Sequence, residues 1–306
     1  MRRKIVLTII ILSILIAGGY LFIRAYGSYC RAGQRQILLK ERREAWEALD
    51  KTLKNEIIKF NGEVAVVIKD LDTGLEIAFN EDKLLPSASL VKIPIMASCF
   101  YAEAEGRLKL VETIRLENAD KVAGSGVLKQ ESPGKGYTIE KLIELMISES
   151  DNTAANMLIK RMGTDYLNDC FKKIGLKNTN LSREMMDFKS RKEGVENYIT
   201  ARDIALIMEK MYRGKLLNAL VSRKCLHILA NQKVNDRIPK KLPAGTIIAH
   251  KTGLEKGVCH DAGIVYTANG NFLICVLTKH KYKNARQAKG LISDISLVTY
   301  KAEIGG

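Results

Sequence analysis

Ser89-Leu90-Val91-Lys92 lies between the turn signal Leu85-Pro86 and the apolar run from Ile93 to Phe100. Pro94 fits only the first turn of a helix, because a residue there needs no backbone N–H. A helix is therefore predicted to begin at or just before Ser89. Elements before and after it are expected to pack around this buried helix.

The pair Ser89 and Lys92 has the spacing of two neighbours on one helical face, which puts the amine within hydrogen-bonding reach of the hydroxyl. A serine becomes a nucleophile when a base takes its proton, and a desolvated lysine near other cations has a pKa low enough to do so. The helix N-terminus also favours negative charge beside Ser89. The alternative is a capping serine and a solvated lysine, since Ser-x-x-Lys is common by chance.

The composition is that of a globular protein, with 306 residues, 46% hydrophobic and 27% charged. A net charge of +15 is typical of a protein that acts next to an anionic partner, such as lipid head groups, wall polymers or nucleic acid. Roughly half of this excess precedes Phe60, where it flanks an apolar segment. The sequence has neither zinc-finger spacing nor a basic stripe interleaved with aromatics, so no nucleic-acid partner is predicted.

The cysteines are scattered singly, with no Cys-x-x-Cys pair, so most are expected to be small buried side chains. They are Cys30, Cys99, Cys170, Cys225, Cys259 and Cys275. Cys259-His260 would bind a metal only if further ligands converged on it. No metal and no cofactor is implied.

The N-terminus carries Arg2-Arg3-Lys4 followed by an uncharged apolar run from Ile5 to Ile23. This run is long enough to cross a bilayer and longer than the core of a cleavable signal. Residues 1–30 are therefore predicted to form an uncleaved signal anchor, with one transmembrane helix and the lipid bilayer as partner. The basic residues place the N-terminus inside, so the chain after Arg24 would be extracytoplasmic at the cell membrane. A cleaved secretory signal is the alternative.

Further along, residues 31–60 hold a juxtamembrane stretch and an amphipathic helix within Gln36 to Phe60. Strands are predicted at Glu63 to Asp70, Leu75 to Phe79, Thr246 to Lys251, Asp261 to Thr267 and Asn271 to Thr278, with tight turns at Asp72-Thr73-Gly74 and Asn269-Gly270. Helices are predicted from Ser89 to Glu105 and at Thr138 to Ile147, Asn152 to Met162, Thr164 to Ile174, Thr200 to Tyr212, Ser222 to Ala230 and Asn284 to Tyr300. Residues 61–306 thus form an α+β domain, with a sheet from 61–80 and 246–280 and a helical subdomain at about 107–230.

Two tripeptides complete a pattern with Ser89. Ser150-Asp151-Asn152 lies between two predicted helices, and Lys251-Thr252-Gly253 lies where a late strand is predicted to end. Each alone is explained equally well by a helix cap or a strand end. Together and in this order, the three motifs resemble those of the penicillin-recognising serine hydrolases, closest to the class A β-lactamase branch of the β-lactamase/DD-peptidase superfamily.

The resemblance covers about Glu41 to Tyr300. It implies a β-lactamase/transpeptidase-like fold, in which an antiparallel sheet is flanked by N- and C-terminal helices beside an all-helical subdomain. It also implies that Ser89 forms an acyl-enzyme and that Lys92 takes and returns its proton. Ser150 would relay protons to the leaving nitrogen, and the positive charge of Lys251 would help to keep Lys92 deprotonated.

The same resemblance implies a set of substrate-binding groups. Asn152 would hold the acyl-side amide of the substrate, while Lys251 and Thr252 would bind its carboxylate. Gly253 would let substrate lie close to the strand. The backbone N–H groups of Ser89 and Leu254 would form the oxyanion hole.

The chain departs from the class A pattern where that class places the glutamate that activates water for deacylation. The corresponding stretch runs from Leu181 to Asp187 and has Met185 at the expected position. Glu184 is one place early and Asp187 two places late, so either is a candidate base only in a differently built loop. Without a positioned base, deacylation is expected to be slow.

Two further differences concern the late strands. The strand from Asp261 to Thr267 lacks the arginine with which many class A enzymes bind a carboxylate, and His250 either tunes Lys251 or packs. The predicted function is a membrane-anchored extracytoplasmic serine hydrolase of class A β-lactamase type, acylated by β-lactams at Ser89. The alternatives are a DD-peptidase-like enzyme acting on peptidoglycan peptides, or a sensor that binds β-lactam or peptidoglycan without turnover. Oligomeric state is not predicted.

Overall fold

The structure is a computed structural model that describes residues 19–21, 24, 26, 29, 36 and 39–305. The predicted membrane segment from Ile5 to Ile23 lies almost entirely outside these residues. Within the described residues, no helix has the length and apolar character needed to cross a bilayer. Leu49–Gly305 form a single compact unit.

The helices are α1 (39–58), α2 (Lys92–Ala104), α3 (Ile139–Ser148), α4 (Asn152–Met162), α5 (Thr164–Ile174), α6 (Phe188–Lys192), α7 (Ala201–Tyr212), α8 (Ala219–Ala230) and α9 (Arg286–Ile304). The strands are β1 (Gly62–Asp70), β2 (Glu76–Phe79), β3 (Leu85–Pro86), β4 (Thr113–Arg115), β5 (Gly136–Thr138), β6 (Tyr198–Ile199), β7 (Ile248–Glu255), β8 (Val258–Thr267) and β9 (Gly270–His280). Single turns of 3₁₀ helix cover Ala88–Val91, Asn118–Asp120, Leu128–Gln130 and Ile238–Lys241.

The main sheet joins the two ends of the domain. Its strand order is β2-β1-β9-β8-β7 and every neighbouring pair is antiparallel, so early strands pair with late ones. Every residue from Val64 to Val67 is buried, which means that both faces of the sheet are covered. The predicted α+β architecture is confirmed.

Local sequence signals set most of the element ends. The Asp70 carboxylate accepts hydrogen bonds from Asp72 N and Thr73 N, which closes the β1–β2 hairpin. Thr138 Oγ1 accepts a hydrogen bond from Lys141 N and caps α3. The predicted boundaries of α4 and α5 agree with the observed ones.

Helix α2 is the centre of the core, as its apolar sequence predicts. Ile93, Ile95, Met96 and Phe100 are all buried. Helix α1 contributes Leu49, Leu53 and Ile57, which are buried at a spacing of four residues. Its neighbour Ile58 is exposed, so the helix is amphipathic in the predicted sense.

Several predicted boundaries were wrong, and two of them bear on the site. The chain around Ser89 is a 3₁₀ turn, and the α-helix itself begins at Lys92, which puts Pro94 in its first turn. Strand β7 does not end at Lys251 but continues to Glu255, because it pairs with β8 along its whole length. The Lys-Thr-Gly motif therefore lies inside a strand.

The described cysteines are buried, unpaired thiols, as predicted. Burial raises the pKa of the Cys99, Cys225 and Cys275 thiols, which keeps them protonated. Cys30 lies outside the described residues. The cysteines of the compact unit therefore serve as small core side chains.

Candidate active site

Ser89 lies in the 3₁₀ turn that leads into α2. The turn is fixed by the Lys92 N–H, which donates to the carbonyl groups of Ser89 and Leu90. Ser89 is partly exposed, and it occupies neither of the capping positions, which are held by Ser87 and Val91. Its hydroxyl is thus available for chemistry, and the alternative that it caps the helix does not hold.

The Lys92 side chain is fully buried from solvent. Its Nζ donates to Ser150 O at 2.7 Å and to Asn152 Oδ1 at 2.7 Å, and it lies 3.4 Å from Ser150 Oγ. These acceptors are neutral oxygens. In the part of the chain that the structure describes, the Ser89 hydroxyl is not among them, so the expected direct contact between amine and hydroxyl is not formed.

Ser150 is the link between the two lysines of the motifs. Its backbone has φ +54°, a left-handed conformation that costs a non-glycine residue about 1–2 kcal/mol. This conformation turns the Ser150 carbonyl toward Lys92 while Lys251 Nζ donates to its hydroxyl at 2.9 Å. Strain at such a position persists only where the surroundings hold it, and here Lys92 and Lys251 hold both polar groups of Ser150.

Lys251 is also fully buried, and its Nζ donates to Thr252 O at 2.9 Å in addition to Ser150 Oγ. Burial holds the pKa of Lys251 well below its ordinary value, and the positive charges of Lys92 and Arg237 lower it further. The Asp261 carboxylate opposes this effect. The site therefore contains two amines whose charges repel each other.

Desolvation lowers the pKa of Lys92 to about 7, while the carboxylates of Asp151 and Glu255 act in the opposite direction. The expectation that the charge of Lys251 lowers the pKa of Lys92 is thus replaced by a simpler cause, the removal of water. At neutral pH a large fraction of Lys92 is uncharged. An uncharged amine that donates two short hydrogen bonds keeps one lone pair free to accept a proton.

Asp151 and Asn152 build the wall of the site at the start of α4. The buried Asp151 carboxylate caps α4 through Ala154 N and also accepts hydrogen bonds from Val127 N and Leu128 N. The Asn152 amide donates to Ala123 O at 3.1 Å while its oxygen receives Lys92. The Ser-Asp-Asn tripeptide therefore does cap α4. It also bonds to the backbone at Ala123, Val127 and Leu128 while Asn152 binds Lys92.

Strand β7 packs directly against the turn that carries Ser89. A Cβ on Gly253 would lie 3.0 Å from Leu90 Cδ1 and 3.2 Å from Ala88 Cβ, so a larger residue would press against the turn. Thr252 is buried and Leu254 is half exposed. The three motifs, which are distant in sequence, meet at one place.

A family model described as the β-lactamase enzyme family matches residues 48–302 of this chain. The chain belongs to the β-lactamase enzyme family. It is a serine hydrolase that acts on amide bonds. The curated relatives include β-lactamase VEB-1 of Pseudomonas aeruginosa, which is 26% identical over 81% of this chain and 88% of its own length.

Solved structures with the same fold include a β-lactamase and the structure named PBP-A. A β-lactamase from Sphaerobacter thermophilus DSM 20745 is 32% identical, with a TM-score of 0.78, and the match covers 85% of this chain and 98% of that chain. The structure named PBP-A is 30% identical, also with a TM-score of 0.78, over 85% of this chain and 97% of that chain. Both matches cover 85% of this chain at 30% identity or more.

The segment that class A β-lactamases use for deacylation is held by three asparagine amides. Each of three asparagine amides bonds both the N–H and the C=O of one segment residue, at 2.8–3.1 Å. The pairs are Asn168 with Leu181, Asn197 with Arg183 and Asn156 with Met185. Alternate residues of the segment are therefore fixed. The contact with Asn156 matters most for the function, because it fixes the backbone of Met185.

The Met185 side chain is buried, whereas both neighbouring candidate bases point elsewhere. Glu184 is exposed. Asp187 caps α6 through Ser190 N and Ser190 Oγ, and these hydrogen bonds lower the pKa of its carboxyl. Among the described residues, neither carboxylate contacts Ser89, Lys92 or Ser150.

The remaining residues singled out from the sequence, His250, Cys259 and His260, have hydrogen-bond partners outside the three motifs. His250 packs between Asp261 and Asn235, at 2.9 Å and 3.1 Å, rather than touching the Lys251 amine. Cys259 and His260 have separate partners, and within the described chain no group of three or more metal-ligating side chains is assembled.

Sequence reasoning missed three residues of the site. Arg237 supplies a buried guanidinium whose charge reaches Lys251, although strand β8 carries no arginine. Asn156 positions Met185, and Glu255 reaches Lys92 electrostatically. Of the three, only Glu255 could have been found from the sequence. It lies four residues after Lys251, which places both on the same face of strand β7, but that strand was predicted to end at Lys251.

Proposed function

We propose that this protein is acylated at Ser89 by β-lactams and that it releases the acyl group slowly. One observation carries the proposal: the Ser150 hydroxyl lies between two buried amines, those of Lys92 and Lys251, beside the turn that holds Ser89. Three groups that can pass a proton are thus joined by hydrogen bonds, and strand β7, which carries Lys251, packs against the turn that holds Ser89.

The proton path follows from the hydrogen bonds. Uncharged Lys92 accepts the proton of Ser89 when the Ser89 hydroxyl turns toward it, and the Ser89 oxygen bonds to the substrate carbonyl carbon. As the C–N bond breaks, the Ser150 hydroxyl gives its proton to the leaving nitrogen and recovers one from Lys92. Lys251, which donates to Ser150 Oγ, keeps that hydroxyl oriented.

The positive charges fit an anionic substrate. Arg237 is a buried cation whose charge reaches Lys251, and Thr252 follows Lys251 on strand β7. A substrate carboxylate in this place would pair with Arg237 and favour the protonated form of Lys251. Asn152 and the backbone N–H groups of Ser89 and Leu254 remain the proposed amide-binding and oxyanion-binding groups.

The nature of the substrate is suggested by the relatives. A point mutant of PBP-A, 30% identical to this chain with a TM-score of 0.78, has been solved as an acyl-enzyme complex with penicillin G. Several relatives carry the name β-lactamase. We transfer from them the β-lactam ring as the reactive amide.

Slow release follows from Met185. The position that Asn156 fixes holds a thioether, which cannot activate water, and neither Glu184 nor Asp187 reaches the nucleophile. This feature favours a second candidate function, a domain that captures penicillin or wall peptide and turns over slowly or not at all. A peptidase acting on peptidoglycan peptides belongs to this second candidate.

The apolar run from Ile5 to Ile23, with Arg2-Arg3-Lys4 before it, supports our proposal of an extracytoplasmic domain held at the cell membrane. Such a location would bring the active site next to the cell wall. It would also explain why much of the positive charge lies in the N-terminal part of the chain, near anionic lipid head groups.

Replacing Ser89 with alanine should abolish covalent labelling by a fluorescent penicillin, because it removes the proposed nucleophile, while the Ser150 hydroxyl is held between two lysines. Labelling is measured on a denaturing gel after incubation with the purified protein. Ser148→Ala, in the neighbouring helix α3, is the matched control and should label normally. Equal labelling of the wild type and Ser89→Ala, or none in either, would contradict the proposal.

Met185→Glu should raise steady nitrocefin hydrolysis by about 10²–10⁴-fold, the contribution typical of a positioned general base. The measurement is the steady rate after the first turnover, compared with the burst of acylation. Met185→Gln keeps the length of the new side chain without its basicity and should stay at the slow wild-type rate. A fast wild-type steady state would show that deacylation uses a different base.

The anchor is tested by extraction of membranes that contain the full chain. The protein should stay in the pellet in alkaline carbonate and dissolve in detergent, while a variant lacking residues 1–30 should not sediment. Release of the full chain by carbonate alone would rule out a membrane-spanning anchor.

A further inference from the structure

A cluster of four charged side chains joins the segment that carries Met185 to the end of strand β7. We call it the loop–strand ion cluster; it consists of Arg183, Arg191, Glu196 and Glu255. Arg191 Nη1 lies 2.7 Å from one oxygen of Glu255, and Arg183 Nη2 lies 3.8 Å from the other. Glu196 bonds Arg183 through one oxygen at 2.5 Å and Arg191 through the other at 3.0 Å.

We propose that Glu255 is a positioning residue of the active site, which holds the segment 181–197 against β7 and acts on the Lys92 amine through its charge. The proposal rests on the function proposed above and adds a residue that the three motifs do not include. Glu255 acts through Arg191 and Lys92 and does not itself touch the substrate.

The geometry distinguishes this cluster from ordinary surface ion pairs. The side chains of Arg183 and Glu196 are 4% and 9% exposed, and those of Arg191 and Glu255 are 27% and 24% exposed. Every carboxylate oxygen faces an arginine. Exposed pairs contribute about 0–1 kcal/mol because water screens them, whereas a partly buried network is screened less.

The cluster acts at both ends of the segment. Arg183 is two residues before Met185, and Arg191 lies in α6, so the two arginines bracket Met185. Glu255 is the last residue of β7, the strand that carries Lys251. Loss of the contact between Glu255 and Arg191 would free α6 from the strand, while Asn156 alone would still hold Met185.

The charge of Glu255 also reaches Lys92, whose pKa it raises. Burial raises the pKa of the Glu255 carboxyl, while the positive charges of Arg191 and Arg183 act in the opposite direction. Besides Glu255, the carboxylate that raises the pKa of Lys92 is Asp151, and Lys92 in turn lowers the pKa of Lys251. Both carboxylate oxygens of Asp151 accept hydrogen bonds from backbone N–H groups. Of these two carboxylates, Glu255 is the one that forms ion pairs with arginine side chains, so a substitution of Arg191 changes the net charge near Lys92.

The sign of each effect follows from these charges. Removing the negative charge of Glu255 favours uncharged Lys92, so its pKa falls and acylation persists to lower pH. Removing the positive charge of Arg191 leaves Glu255 less neutralised, so the pKa of Lys92 rises and acylation needs a higher pH. A purely mechanical role would not move the two midpoints in opposite directions.

The test compares the full-length wild type with Glu255→Gln and Arg191→Gln, using Glu193→Gln and Lys192→Gln as controls from the exposed part of the same segment. The first readout is the pH at which the rate of acylation by fluorescent penicillin is half maximal. Relative to the wild type, we expect a shift of roughly 0.5–1 unit down for Glu255→Gln and up for Arg191→Gln, the size that one partly screened charge produces. The controls should not shift.

The second readout does not need activity. Hydrogen exchange of residues 181–197 should become faster in both Glu255→Gln and Arg191→Gln than in the two controls. Unchanged exchange in both, or midpoints that stay fixed or move together, would overturn the proposal. If no protein is labelled by penicillin, the proposed function fails, and the exchange rates alone then decide whether the cluster holds the segment.

Discussion

The removal of water from two lysine amines is the constraint on which the rest of this structure depends. Lys92 and Lys251 are fully buried, and the oxygens that receive them belong to Ser150, Asn152 and Thr252 and carry no charge. A buried ammonium without a direct carboxylate partner is costly, so burial lowers the pKa of each amine, and that of Lys92 falls to about 7. The folded protein thereby contains a base at neutral pH.

Other features of the site can be understood as the means of keeping those amines in place. The left-handed backbone of Ser150 lets one residue satisfy both lysines. Asp151 fixes the helix start from which Asn152 reaches Lys92, and Gly253 lets β7 lie against the turn of Ser89. The surrounding charges then adjust the proton affinity, with Arg237 and Glu255 acting in opposite directions.

Much of this arrangement was predictable from the sequence because it depends on short-range signals. Pro94 marked the start of α2, Thr138 marked a cap, and Asn269-Gly270 marked a hairpin, so the element order and the sheet from both termini followed. The three motifs then predicted which residues would meet. The contacts of Lys92 were not predictable, because they depend on the backbone conformation of Ser150, which no local pattern reveals. Arg237 and Asn156 were not predicted for a similar reason, since each comes close to the site only through tertiary folding. Strand β7 extends to Glu255 because it pairs with β8 along its whole length.

The central claim is that Lys92 is an uncharged base near neutral pH, and an NMR titration of the lysine side chains tests it most directly. The Lys92 signal, assigned by its loss in Lys92→Met, should titrate with a midpoint of about 7, because burial lowers its pKa. A midpoint near the ordinary lysine value of about 10.4 would contradict the account. Lys92 would then be charged at neutral pH and unable to accept the proton of Ser89.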